Sequence, residues 1–136
     1  MTAVEVVLPR LKTEEGFRAF PYKDTQGHTT VGYGLNLDAG LSQRVAAVAL
    51  QAQLEELQEA LAKYPWYQPL DPVRQSVLLD MAFNLGLSGL LHFPHMLAAI
   101  SRQDWASAAT ECHVENPELA GRYQKLSQLL LIGGVT

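Results

Sequence analysis

Two acids and a hydroxyl lie close together in EGFRAFPYKDTQGHTTVGYG, residues 15–34. Glu15 precedes a glycine, Asp24 stands in a turn-forming cluster, and Thr30 follows in a β-branched run. Glycoside hydrolysis needs two carboxyl groups flanking a sugar bond. One is protonated and donates to the leaving oxygen; its surroundings must hold it in that state. The other is ionised and activates water or stabilises the oxocarbenium-like transition state. A Glu at a helix end and an Asp on the following hairpin would face each other across a cleft, with Thr30 holding the attacking water. A plainer account fits the same residue types. An Asp in KDTQG is ordinary turn chemistry, and Glu15 beside Arg18 would make a surface ion pair.

The elements around these residues follow from periodicity and punctuation. A short helix is expected from about Pro9 to Glu15, because proline is best tolerated near a helix start. Gly16 then stands where a left-handed C-cap is wanted. Aromatic and β-branched residues over 17–37, broken by KDTQG, predict a small antiparallel hairpin turning at Asp24–Gly27. Gly32 and Gly34 mark a bend or a close backbone approach. From Ser42, a plausible N-cap, a long helix carries Leu50, Leu54, Leu57 and Leu61 on one stripe until Pro65 ends it.

Four further helix starts follow. Asp71-Pro72 opens VRQSVLLDMAFNLG, with Gly86 as the stop. Pro94 opens HMLAAISRQ under a cap from the preceding loop, Asp104 caps WASAATECH, and Asn116-Pro117 opens ELAGRYQKLSQLLL. VLLDMAF is apolar apart from Asp80, the mark of a central buried helix. The expected fold is α+β: residues 15–41 form a β-containing lobe, 42–64 a connecting helix, and 65–136 with the N-terminal helix a helical lobe. Together they make a single domain over 1–136 with a cleft between lobes.

The chain has 136 residues, 48% of them hydrophobic and 18% charged, which is the composition of a globular protein with a real core. Its formal charge of −4 and lack of a basic tract argue against nucleic acid as a partner. Cys112 is the only cysteine, so no intramolecular disulfide can form. The first residues have neither the basic nor the apolar region of a signal peptide, and the longest apolar runs are far short of the ~20 residues that span a bilayer. Synthesis in the cytoplasm without stable membrane association is therefore expected. The histidines 28, 92, 95 and 113 do not assemble a zinc set, so no metal and no cofactor are expected.

EGFRAFPYKDTQGHTTVGYG resembles the catalytic stretch of the phage-type lysozymes, the endolysin muramidases. Their pattern is E-G-[bulky]-R followed by Y-x-D-x-x-G-x-x-T-[IV]-G-[YI]-G, and each fixed position is met. DPVRQSVLLDMAFNLG resembles the family's central helix with its MxFxxG ending, and the likeness continues through FPHMLAAISRQDWASAA and ELAGRYQKL. It implies a mainly helical two-lobe fold with the active cleft at the lobe junction. It also implies hydrolysis of the β-1,4 bond between N-acetylmuramic acid and N-acetylglucosamine, with peptidoglycan strands as the partner.

By this resemblance Glu15 is the general acid, Asp24 the second carboxylate, and Thr30 the residue beside the nucleophilic water. Arg122 falls where the family pairs an arginine with the catalytic glutamate. Phe83 and Asn84 match the cleft-facing end of the central helix, and Asn36 stands at the mouth of the cleft as a sugar contact. A monomer, released to the periplasm by a holin or by lysis, completes the implied picture. The rival is a lysozyme-like module that has lost activity and binds peptidoglycan or a protein.

Three departures from the pattern stand out. GYGLN places Leu35 where the family commonly has histidine, a change expected to alter stability and its pH dependence without removing activity. LDAGLS is a short link to the long helix, and CHVENPE replaces an aromatic residue before the R-x-x-[KR] helix. The acidic balance of the chain departs as well, since several family members are basic. With little charge attraction to an anionic envelope, there is little for salt to screen. Lysis rates measured from low to moderate salt should therefore stay nearly level, and a steep loss over that range would contradict this.

Overall fold

The computed structural model describes residues 1–134. Among them are six α-helices and one three-stranded antiparallel sheet, an α+β arrangement dominated by helix. The chain divides into two compact units, 1–48 and 49 onward, with the boundary inside a helix.

The first unit opens with α1, Ala3–Glu15. It starts six residues before Pro9, the start expected from sequence. The reason is a capping box. Thr2 Oγ1 accepts from the Glu5 amide at 3.1 Å, and Glu5 Oε2 accepts from the Thr2 amide at 3.1 Å. These two bonds satisfy two of the amides a helix start leaves orphaned. Pro9 is thus inside the helix, where it removes one ladder bond. Gly16 ends α1 with φ 68° and ψ 157°, its amide donating to Lys12 O at 3.1 Å. The positive φ was expected, but ψ is extended rather than left-handed helical, a conformation essentially reserved for glycine.

The sheet runs β1 (Arg18–Lys23), β2 (Thr29–Gly32), β3 (Leu35–Asn36), in that spatial order. Tyr22 faces Thr30 and Lys23 faces Thr29, whereas Arg18 faces Gly32, so β1 carries extra residues around Pro21. Proline cannot donate to a ladder, and the irregularity falls on an edge strand, where this is tolerated. The hairpin expected from KDTQG is present, and a third strand extends it after a turn through Tyr33 and Gly34. A 3₁₀ turn, Leu37–Ala39, leads toward α2, Gln43–Leu61. Ser42 caps α2 as expected, its Oγ accepting from the Val45 amide at 3.1 Å. The helix ends at Leu61, before Pro65, because the chain tightens there into i→i+3 turns.

The second unit holds α3 (Pro72–Leu91), α4 (Pro94–Ser101), α5 (Trp105–Glu111) and α6 (Ala120–Ile132). Gly86, expected to stop α3, instead kinks it at φ 79° and ψ 159°, and the helix resumes to bury Leu90. α4 begins at Pro94 without a side-chain cap, unlike the expectation of one from the preceding loop. Asn116-Pro117 opens a turn, not a helix: Asn116 Oδ1 accepts from the Glu118 amide, and α6 starts at Ala120. The stripe on α2 grades from exposed Leu50 to fully buried Leu61. The core gathers Val77, Leu78 and Met81 of α3 with Met96, Ile100, Tyr123 and Leu130. α3 is buried along one stripe and not all round as expected: Asp80 is partly exposed, and Phe83 and Leu91 are exposed. No single helix among the described residues is long and apolar enough to cross a membrane.

A charged cluster ties the ends of this unit together. Asp71 Oδ1 caps α3 by accepting from the Arg74 amide at 3.0 Å, and also accepts from the Gly134 amide at 2.9 Å. Arg74 donates to Asp71, to Leu130 O at 2.7 Å and to Leu131 O at 3.0 Å, and stacks on Trp105. Burial pushes the Asp71 carboxyl up, but these amides and the guanidinium outweigh it and hold it below its usual value. A carboxylate depressed in the folded state stabilises above its unfolded pKa of about 3.9 and loses that contribution as pH falls. Asp71→Ala should cost about 2 kcal/mol near neutrality, from a lost cap and an unpaired arginine. Melts of native and variant chains should converge as pH drops below about 4.

Candidate functional site

Glu15, Asp24, Thr30 and Asn36 all lie in the first unit. Glu15 is the last residue of α1 and is exposed. Its carboxyl lies against the backbone of Gly34: a Cβ built there would sit 3.0 Å from Glu15 Oε2. Gly34 has φ 81°, so glycine is required for conformation as well as space. Neighbouring aromatic contacts hold this approach. Phe17 and Tyr33 pack with ring centroids 5.6 Å apart, and Lys12 of α1 places Nζ 5.9 Å from the Tyr33 ring. The β2–β3 turn is thereby fastened to the end of α1.

Asp24 sits where β1 leaves the sheet, and its two oxygens have different tasks. Oδ1 accepts from the amides of Gln26 at 2.9 Å and His28 at 2.8 Å. Oδ2 makes no bond to backbone and is 3.5 Å from His28 Nδ1. The His28 amide, foremost, and then the Gln26 amide and the imidazole hold the Asp24 carboxyl below its usual value, against the effect of burial. Asp24 is therefore kept ionised, the state a water-activating carboxylate needs. It is at once the turn residue of the plainer account and a pinned carboxylate whose second oxygen takes no backbone bond.

Thr30 is the first unit's buried polar side chain, at 3% exposure. Its Oγ1 donates to His28 O at 3.1 Å, leaving the hydroxyl's lone pairs to accept from water. His28 O also accepts from the Asp24 amide at 2.9 Å. The backbone of His28 thus joins Asp24 to Thr30, a role its side chain identity does not disclose. Asn36 faces Thr30 in the β2–β3 ladder, and its Oδ1 caps the 3₁₀ turn through the Asp38 amide at 3.0 Å.

Phe83, Asn84 and Arg122 belong to the second unit. Phe83 is exposed at 45% on α3, so it is not a core residue. Asn84 Oδ1 accepts from the buried Tyr123 hydroxyl at 3.2 Å, a bond that joins α3 to α6. Burial pushes the Tyr123 hydroxyl up to about 12, so it remains a donor. Arg122, expected to pair with Glu15, donates Nε to Asp80 Oδ1 at 2.8 Å, and a terminal nitrogen to the same oxygen. In the sequence Asp80 is only the polar interruption of an apolar helix, with no local signal that names Arg122 as its partner. Cys112 is buried, its thiol pushed up to about 11 by burial, which leaves it unreactive.

A small antiparallel sheet with an acid at the preceding helix end and a second acid in its first turn, followed by a helical unit, defines a lysozyme-like α+β fold. The chain belongs to the phage lysozyme family, whose model matches residues 12–127. It is 25% identical over 157 residues to the pre-baseplate central spike protein Gp5 of Enterobacteria phage T4, a match covering 92% of this chain and 27% of that protein. It is also 24% identical over 139 residues to probable T4-type lysozyme 1 of Dictyostelium discoideum, covering 79% of this chain and 82% of that protein. Probable T4-type lysozyme 2 of the same organism is 24% identical over 132 residues, covering 74% and 78%. The chain therefore spans about a quarter of the spike protein and most of each lysozyme. Family membership supports a lysozyme-like peptidoglycan hydrolase as the general class.

Gly34→Ala tests the Glu15 contact. The alanine is strained by the positive φ, costing about 1–2 kcal/mol, and the flexible Glu15 carboxyl must move by a few tenths of an ångström. A melt lowered by a few degrees together with a drop in lysis of tenfold or more is the expected outcome. Unchanged lysis would detach the Gly34 contact from the chemistry.

Proposed function

We propose that this domain is a muramidase, cleaving the β-1,4 bond between N-acetylmuramic acid and N-acetylglucosamine in peptidoglycan. The carrying observation is the division of labour on Asp24: one oxygen is locked into the turn by two amides, and the other takes no backbone bond, while the backbone of His28 links the same turn to the Thr30 hydroxyl. Glu15, ending α1 beside Gly34, gives its proton to the glycosidic oxygen as the C–O bond breaks. Water bonds to the anomeric carbon from the opposite face and passes a proton to Asp24 Oδ2, with the Thr30 hydroxyl positioning it. The product carries inverted configuration. Asn36, Phe83 and Asn84 as sugar contacts, and Arg122 as support for Glu15, enter through the family resemblance.

A second reading has one observation in its favour. The spike protein to which the chain is similar is named for its place in a baseplate, so a domain of this family can be part of a larger assembly. In that reading the same surface holds glycan or protein without cleaving it.

Turbidity of outer-membrane-permeabilised Gram-negative cells separates the two. The native chain should clear the suspension, and Glu15→Gln, with an unchanged melt, should be slower by about a hundredfold or more. If the native chain fails to clear cells yet pulls down purified peptidoglycan as well as the variant does, the domain is a binding module.

A further inference from the structure

Asp24 Oδ2, the oxygen assigned above to the water, is shared with one other group, the His28 imidazole. Nδ1 lies 3.5 Å from Oδ2, and both side chains are partly exposed, 44% for His28 and 33% for Asp24. The imidazole is held in place by its own backbone. The His28 amide donates to Asp24 Oδ1, its carbonyl accepts from the Asp24 amide, and the same carbonyl accepts from the Thr30 hydroxyl. Three backbone-mediated bonds thus fix where this ring starts, and none of them uses the His28 side chain, so His28→Gln leaves each in place.

Two other charged side chains come to this turn. Lys23 of β1 donates Nζ to Thr29 Oγ1 at 2.7 Å, and Asp38 of the 3₁₀ turn accepts from the Thr29 amide at 2.9 Å. Both are bound to Thr29, which leaves His28 as the charged group paired with Asp24 among the ion pairs of the described residues.

We propose that His28 is a positioning residue that sets the availability of Asp24 Oδ2: neutral imidazole leaves the oxygen to water, and imidazolium occupies it. This rests on the muramidase reading for its consequence but not for its existence. Protonation turns the ring into a cationic donor beside the carboxylate, where it competes with the O–H of water and weakens the carboxylate as a base. Imidazole is the side chain type whose charge ordinarily changes within the range from about pH 5 to 8. The sign follows. Activity should rise with pH as the ring loses its proton, up to the pH where the general acid itself is lost.

The closing experiment has two readouts. Proton NMR would follow the His28 ring, assigned by its disappearance in His28→Gln, through a pH titration in native chain and in Asp24→Asn. Asparagine keeps an oxygen for the two turn amides, and a melt would check the fold. The ring resonances should respond to pH differently in native chain and in Asp24→Asn, the carboxylate favouring the protonated ring. Lysis by native chain and His28→Gln, each measured at pH 5 and pH 8, gives the second readout. The pH 5 to pH 8 ratio should be about two- to fivefold higher in His28→Gln.

Identical titrations in native chain and Asp24→Asn would overturn the pairing. A shifted titration with an unchanged activity ratio would overturn the control of Oδ2. A shifted titration in a chain that lyses nothing at either pH would uphold the pairing and overturn the muramidase reading instead.

Discussion

The candidate site depends on one carboxylate that must satisfy a turn. In a two-strand connection as short as Asp24–His28, the amides of Gln26 and His28 point inward with no strand to receive them. Asp24 Oδ1 accepts both, and the reciprocal Asp24 amide bond to His28 O closes the turn. The pairing of Tyr22 with Thr30 follows directly, and with it the placement of the Thr30 hydroxyl. The oxygen that folds the turn is not the one that meets the His28 imidazole, so the carboxylate's structural bonds leave Oδ2 without a backbone partner. The same amides hold it ionised.

The two units solve their stability problem differently. Every fully buried apolar side chain among the described residues stands at position 61 or later. The second unit therefore rests on a conventional apolar core, fastened at its ends by Asp71 and Arg74. The first unit is built from caps, a ladder, an aromatic pair and glycines in conformations closed to other residues. Such polar and backbone-determined structure is cheap in residues, and it leaves side chains such as Glu15 on the surface.

Paired side chains in the second unit carry a further consequence. Asp80 and Asn84, one turn apart on α3, meet Arg122 and Tyr123, consecutive on α6. These polar contacts fix the rotation of α6 against α3, beside the buried Val77, Leu78 and Met81. An apolar interface alone tolerates sliding; directional bonds at its margin do not. Phe83 is left exposed by the same rotation.

Much of this was legible in the sequence. The hairpin at KDTQG, the caps at Ser42, Asp71 and Asp104, the buried stripe of α3 and the α+β class follow from local rules, because each depends on residues within a few positions of one another. Local rules also misplaced some ends. The Thr2–Glu5 capping box starts α1 six residues before Pro9, Gly86 kinks a helix it was expected to stop, and Asn116 caps a turn. What only tertiary structure decided were partners distant in sequence. Gly34 meets Glu15 across nineteen positions, and Arg122 meets Asp80 across forty-two. The types of these residues announce that they need a partner, through charge or missing Cβ. Which partner each finds depends on how the backbone folds back on itself, and no spacing rule within one strand or helix carries that information.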